Sequence, residues 1–401
     1  MAVIRHITLP EGFVAGATAS KLKRSGKVDL AIIAATDGPV PTAVVTTQNQ
    51  VVGAPVRWCR SVLPKGFGLT RGLVVNAGNS NVCNGKPGDR DAAEMAALAG
   101  KVVGAKAKEM LVCSTGVIGH LMPMDKVRKG IAALEANLDT RHDQDVAHAI
   151  MTTDLIAKSA VVQTRVAGVK ISVAGIAKGS GMIAPSLATM LSFVTTDVAI
   201  TPSALGKALN QVCYSTFNAI TVDGDTSTSD TLIVMASGKA GNKPITGGAE
   251  LAKFTKALAE VCGALAESIA RDGEGASKLL RIIVSGARHD TDAMLAAKTI
   301  ANSPLLKCAV HGGDPNWGRT LAAAGRSPAK VDQDKATCKI GGITVMRRGG
   351  SCPFDLKAVQ KHMAGKDVTI ELNLGLGKGK YTALTCDLSR EYIAINADYH
   401  T

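Results

Sequence analysis

The chain has 401 residues, 46% hydrophobic and 3% aromatic, with 42 glycines and a formal net charge of +13. That length and apolar content call for a large core, about two domains' worth, and exclude a disordered or small disulfide-stapled chain. Its lysines and arginines are dispersed and few aromatics exist to stack bases, so the charge argues against a nucleic-acid partner and suits small acidic substrates.

Nine scattered cysteines without a C-x-x-C pair suit a reducing compartment. Arg5 and His6 interrupt the apolar start, so no signal-peptide core forms, and no uncharged run reaches spanning length. A cytoplasmic protein without membrane association is expected.

Small residues and short β-branched runs predict a mixed α and β fold. Strands are expected at 29–36, 41–47, 72–78, 109–115 and 169–175. Between them, helices are expected at 89–105, with acidic residues in its first turn, and at 123–138, with Pro123 at its start. Further on come a helix at 201–220, a strand at 230–237, a long helix at 248–273 and a strand at 279–287. The run 292–312 reads as helix followed by strand. After it, 338–345, 367–389 and 391–401 read as strands joined by glycine-rich turns.

Several stretches are candidates for chemistry. "CSTGVIG" (113–119) follows a strand, and its Thr115-Gly116 step reads either as a simple turn or as a hydroxyl and backbone amides facing a developing oxyanion. "HAIMTTDLIAK" (148–158) places Thr152, Thr153 and Asp154 in a helical pattern, as backbone caps or as substrate contacts. "KGSGMIAPSLATMLSFVTTD" (178–197) opens on a glycine-rich, proline-fixed loop. One reading is a strand-to-helix turn, with Thr189 an ordinary helical residue. The other is a strained Ala188–Thr189 peptide that the Thr189 hydroxyl attacks, giving an ester that water cleaves. The product would be an N-terminal threonine whose α-amine serves as base for its own hydroxyl.

"VDGDTSTSDT" (222–231) resembles a calcium loop, but Thr228 stands at the glycine position and Val234 at the terminal glutamate position, so no metal is expected. In "RDGEGASK" (271–278), Glu274 lies between two glycines, either solvated or able to hold an ammonium group and relay a proton. "HGGDPNWGRT" (311–320) reads as a tight turn before a helix. G-x-S-x-G, H-E-x-x-H and Walker motifs are absent, and "GLGKGK" (375–380) has the wrong spacing for a phosphate loop and the look of a hairpin.

Taken together, "CSTGVIG", "HLMPMDK", "IMTTD", "KGSGMIAPSLATML", "DGDTSTSDT", "DGEGASK", "GGDPNWGR" and the terminal "INADYHT" closely resemble the ornithine acetyltransferase (glutamate N-acetyltransferase) family of arginine biosynthesis, end to end. The resemblance implies β-sheets sandwiched between helix layers with a smaller C-terminal α/β domain. It implies self-cleavage between Ala188 and Thr189 into an α chain, 1–188, and a β chain, 189–401, assembled as two of each. Thr189 would carry the acetyl group, Thr115 and Gly116 would form the oxyanion hole, and Thr152, Lys178, Thr189, Glu274, Asn396 and Thr401 would bind substrate.

The reaction so implied passes acetyl from N-acetylornithine to glutamate by ping-pong, with no cofactor and with acetyl-CoA an additional donor in some members. Two other readings remain open at this point. A non-catalytic binding protein would keep an intact chain, and a self-cleaving amidase or aminopeptidase of related fold would hydrolyse its acyl group.

Overall fold

The computed structural model of the chain describes residues 6–141, 143–184 and 190–398. The first half runs β1 (Phe13–Thr18), β2 (Leu30–Ala35), β3 (Val40–Thr46), α1 (Ala54–Val62), β4 (Phe67–Thr70), β5 (Gly72–Asn79) and α2 (Gly85–Val102). It continues through β6 (Met110–Val117), α3 (Met124–Leu134), α4 (Asp143–Ala149), β7 (Lys158–Val166) and β8 (Val169–Lys178). After the segment that contains Thr189 come β9 (Leu191–Thr196), α5 (Pro202–Ser215), β10 (Thr231–Ala236), α6 (Gly248–Arg271) and β11 (Leu279–Ala287). Next are α7 (Asp290–Ala301), α8 (Pro304–His311), α9 (Trp317–Gly325), β12 (Thr337–Ile340), β13 (Ile343–Arg347) and β14 (Gly350–Ser351). The chain closes with α10 (Leu356–Met363), β15 (Asp367–Asn373), β16 (Gly379–Cys386) and α11 (Arg390–Asp398).

Two sheets stack face to face. The first has the order β1-β2-β5-β6 and the second β4-β3-β10-β9-β8-β7. Alternate residues of each strand point to opposite faces. Ile33, Leu73, Val75 and Leu111 of the first sheet therefore pack with Val44, Ile176, Phe193 and Ile233 of the second. Their neighbours Ile32, Val74 and Val112 turn the other way, onto Met95 and Ala99 of α2 and Val127 and Ile131 of α3. Across the second sheet, Val173, Val194 and Val234 meet Leu205 and Leu209 of α5 and Leu258 and Leu265 of α6. The result is four layers, helix–sheet–sheet–helix, and it explains why β2, β9 and β10 are buried at every position: both faces are covered. The expected sandwich of sheets between helices is borne out.

A third sheet, β14-β13-β12-β15-β11-β16, packs its own core against α7, α8 and α10. It accounts for the smaller C-terminal α/β unit.

Several local expectations are corrected. The segment 304–311 is the helix α8, because Pro304 sits at a helix start and the Ser303 hydroxyl accepts from Leu306 N at 3.4 Å. The stretch after Ser389 is the helix α11 rather than a strand, with Tyr392 N donating to the Ser389 hydroxyl at 3.3 Å. "GLGKGK" does not close a hairpin, since β11 inserts between β15 and β16 and pairs with both. The helix expected from 89 begins a turn earlier, at Gly85, which leaves no acidic residue in its first turn. The helical pattern at 148–158 ends at Ala149 because the Asp154 carboxylate accepts from Thr152 N and bends the chain. Among the described residues, β8 leads into the segment that begins with "KGSG" and the strand β9 leads out of it, with Met190 preceding β9.

Candidate active site

The ends of three layers meet at one small cavity of about 150 Å³. Its walls include Thr115 and Gly116 from the end of β6, Thr152 from the loop after α4, Lys178 from the end of β8, Glu274 from the loop after α6 and Asn396 from α11. Gly181, Met182, Ser80 and Ser227–Ser229 complete it. Six of the nine residues named from the sequence therefore converge from widely separated positions. Ala188, Thr189 and Thr401 lie outside the described residues. The described chain lines the cavity at Gly181 and Met182, shortly before the segment that contains Thr189, and continues after it at Met190, whose amide donates to Asp230 at 3.0 Å.

Thr115 and Gly116 stand where the parallel pairing of β5 and β6 loses register, opposite Gly78 and Asn79. Such a bulge takes peptide groups out of the regular ladder and frees them for other acceptors. Only glycine fits at Gly116: its φ is +123°, and a Cβ would lie 2.5 Å from the Gly78 carbonyl carbon. Buried side chains fix the bulge from below. The Ser114 hydroxyl bonds Asn76 Oδ1 at 2.6 Å, and Asn76 Nδ2 donates to the Asn79 carbonyl at 2.9 Å.

Lys178 is 2% exposed, and its Nζ donates to Thr152 Oγ1 at 3.3 Å. Burial pushes its pKa down, and the nearby carboxylates of Asp154, Asp230 and Glu274 work against that shift. A buried ammonium with a hydroxyl beside it is suited to a substrate carboxylate. Glu274, although in a loop, is only 8% exposed and accepts from Asn396 Nδ2 at 2.8 Å. The helix α11 thus closes the cavity over Glu274.

Sequence reading missed what holds these groups in place. The Lys158 ammonium lies fully buried between Asp154 Oδ1 at 2.6 Å and Asp272 Oδ2 at 2.5 Å. Asp154 also accepts from Gly179 N at 2.7 Å and Thr152 N at 3.0 Å, while the Asp272 carbonyl accepts from the Ser180 hydroxyl at 2.6 Å. The loop carrying Thr152, the end of β8 carrying Lys178 and the turn carrying Glu274 are therefore tied to one buried cation. Burial would raise the Asp154 pKa, but the Lys158 and Lys178 charges outweigh it and hold the carboxyl below its usual range. A depressed pKa of this kind adds stability above the unfolded-state value, and the contribution is lost as pH falls through the folded-state value. The sequence shows Asp154 followed four residues later by Lys158, but in the helical pattern expected there that spacing reads as a routine surface pair, and only the structure, where the helix ends at Ala149, shows it buried.

Gly181 gives a direct test of the Glu274 placement. A Cβ there would lie 2.4 Å from the Glu274 carboxyl, which is the flexible end of a side chain. Gly181→Ala is thus expected to displace the carboxylate, cutting kcat/KM by roughly 10- to 100-fold, since about 1 Å of misplacement costs on that order. The melting temperature should stay within about 2 °C, as the side chain and not the backbone yields. Wild-type kinetics in this variant would show that Glu274 does not need its position.

A buried cation, a carboxylate, convergent hydroxyls and a strained glycine-bearing strand end in a cavity of this size define an α/β enzyme for a small polar substrate. The ArgJ family model matches residues 14–401. The arginine biosynthesis bifunctional protein ArgJ of Dehalococcoides mccartyi is 44% identical over 398 residues, covering 98% of this chain and 97% of that one. Its counterpart from Symbiobacterium thermophilum is 44% identical over 401 residues, covering 98% of both chains. A crystal structure of ArgJ from Bacillus halodurans superimposes with a TM-score of 0.51 at 43% identity, covering 52% of this chain and 98% of that chain. This protein belongs to the ArgJ family.

Proposed function

We propose that this protein is the acetyl-recycling enzyme of arginine biosynthesis, carrying acetyl from N-acetylornithine to glutamate through an ester on Thr189. The observation that carries the reading is the convergence of Thr115, Gly116, Thr152, Lys178, Glu274 and Asn396 on one cavity, at the point where the chain enters the segment containing Thr189. Self-cleavage at Ala188–Thr189 frees the α-amine that serves as base. The Thr189 Oγ attacks the acetyl carbonyl, its proton passes to the amine, and Thr115 and Gly116 hold the oxyanion. The C–N bond then breaks, the proton goes to the departing ornithine nitrogen, and the acetyl ester remains. The glutamate amine attacks that ester by the same route in reverse, giving N-acetylglutamate and restoring the Thr189 hydroxyl.

Lys178 pairs with the substrate α-carboxylate, Glu274 with an ammonium group, and Asn396 and Thr401 close the site from the C-terminus. The name of the relatives, a bifunctional protein, supports a second activity, acetylation of glutamate from acetyl-CoA, which then acts as co-substrate. Two α and two β chains assemble, in the cytoplasm. Among the described residues no helix is long and apolar enough to cross a membrane. The half-length Bacillus halodurans chain supports a cut near the middle, since 98% of it matches only 52% of this one.

Incubation with N-acetylornithine and no acceptor, followed by denaturation and mass measurement, is the test. An acetyl adduct on the fragment beginning at Thr189, discharged by glutamate as N-acetylglutamate, is the expected result. Free acetate in place of N-acetylglutamate would make the protein a hydrolase and overturn the transferase reading.

A further inference from the structure

Among the described residues of the cavity wall, only Ile118 and Met182 carry a large apolar side chain, and they are 39% and 40% exposed. Large apolar groups left open in an otherwise polar cavity are what a ligand with an apolar portion would cover. Met182 also holds an unusual backbone. Its φ is +57°, in the left-handed region that glycine adopts freely and other residues adopt at a cost. The chain places glycine at 179 and 181, yet methionine at 182. A side chain kept at that cost points to a use for it.

The Asp223 carboxylate holds that backbone. Its Oδ2 accepts from Met182 N at 2.6 Å and its Oδ1 from Ile183 N at 2.9 Å. The Ile183 carbonyl in return accepts from Val222 N at 2.7 Å, and the Ile183 side chain is fully buried. Lys307 of α8, 4% exposed, anchors the other side of the loop by donating to the Val222 carbonyl. Burial raises the Asp223 pKa, and the amides of Asp225, Met182 and Ile183 act against that shift by bonding the ionised form. Tyr392 of α11 lies near the same carboxylate, and burial with the charges of Asp223 and Glu274 raises its pKa. Asp223 itself does not line the cavity. It stands behind the wall, between the Met182 turn and the helix that closes over Glu274.

We infer that Met182 is a specificity-determining residue of the cavity, covering with Ile118 the methylene chain of the bound amino acid, and that Asp223 is the positioning residue that holds it there. The inference rests on the proposed function, in which one cavity takes first the donor and then the acceptor. Lys178 and Glu274 can fix the charged ends of an amino acid, but the methylenes between those ends need an apolar surface. Ornithine and glutamate differ in the length of that chain. An unbranched thioether with three rotatable bonds can follow both, where a branched side chain could not.

The test is Met182→Ala, Asp223→Asn and the double variant in the full chain, with intact mass and the kinetics of acetyl transfer to glutamate. Two donors are compared: N-acetylornithine and its shorter homologue N-acetyl-2,3-diaminopropionate. Alanine keeps the Cβ, and with it the backbone constraint, while removing the thioether. Each covered methylene is worth roughly fourfold in binding. Met182→Ala is therefore expected to cut kcat/KM for N-acetylornithine by about 10-fold, through KM, and for the shorter donor by less than about 2-fold. Asp223→Asn leaves one acceptor oxygen for two amides and sets an NH₂ group against the other, so it should produce the same selective loss. The double variant should lose no more than about 2-fold beyond Met182→Ala, because both changes act through one side chain.

Equal losses for the two donors in Met182→Ala, or wild-type kinetics with both, would overturn the specificity role. An Asp223→Asn loss that multiplies in full with that of Met182→Ala would overturn the positioning role, as would a folded Asp223→Asn chain that stays uncut. If Asp223→Asn is insoluble, the measurement moves to Met182→Gly, since glycine takes the left-handed backbone without cost. A soluble Met182→Gly/Asp223→Asn protein then supports the role, and an insoluble one overturns it, because the carboxylate would be holding more than the Met182 turn. A wild-type protein that transfers no acetyl from N-acetylornithine to glutamate would instead fail the proposed function, so the two failures are distinguishable.

Discussion

Thr189→Ala is expected to give a single uncut chain of 401 residues with acetyl transfer reduced by at least about 10⁴-fold. Alanine removes the hydroxyl that would attack the Ala188 carbonyl, so no α-amine forms, and it removes the acyl carrier as well. Both losses come from one atom, and that makes the effect larger than any other single change. Thr189→Ser, which keeps the hydroxyl, should still be cut and should keep activity within about 100-fold.

Intact mass under denaturing conditions reads the cut, and transfer from N-acetylornithine reads the activity. In the wild type the two fragments should co-purify under native conditions. Strands β3, β4, β7 and β8 precede the proposed cut and β9 and β10 follow it, yet all six share one sheet, with β9 paired to both β8 and β10. A wild-type chain that stays whole while turning over substrate would rule out the free-amine mechanism.

Lys158→Met should be the most destabilising conservative change near the site. It leaves Asp154 and Asp272 buried without their shared cation, and breaking a buried pair in this way costs about 3–5 kcal/mol. For a chain of this length that is a fall in melting temperature of about 4–6 °C. The deficit should depend on pH, with the opposite sign to that of the wild-type pair. Without Lys158 at least one carboxyl is more basic folded than unfolded, so the folded state is favoured where that group is protonated and loses ground as pH rises through its folded-state value. The variant should therefore lie closest to wild type near pH 5 and furthest from it near pH 8. Activity should fall too, because Thr152, Gly179 and Ser180 are held by the same two aspartates. An equal deficit at both pH values would mean that the carboxylates find other partners.

Much of this molecule was legible in one dimension. Runs such as 29–36, 72–78 and 169–175 announced β2, β5 and β8, because short stretches of small and β-branched residues with few charges are what strands covered on both faces require. The helix at 248–273 was equally plain from its apolar period. Short motifs, matched to a known family, pointed to Thr115, Gly116, Thr152, Lys178, Glu274 and Asn396 before any geometry was available. These motifs carry local chemistry, and the residue types a site needs are written in the chain whether or not their distances are known.

What the chain did not disclose depends on neighbours far away in sequence. α8 and α11 looked like strands because the deciding contacts, the caps from Ser303 and Ser389, compete with β-favourable side chains that propensity alone overrates. β11 slipping between β15 and β16 is a pairing choice among strands of similar composition. The Lys158, Asp154 and Asp272 cluster is a property of burial, and a charged side chain reads the same in sequence whether water or protein surrounds it. The sequence by itself determined the elements, the family and the inventory of reactive groups, since those follow from residue type and spacing. Only the tertiary structure decided which carboxylates were taken out of water and what each was aimed at, because desolvation and direction exist only once the layers have closed.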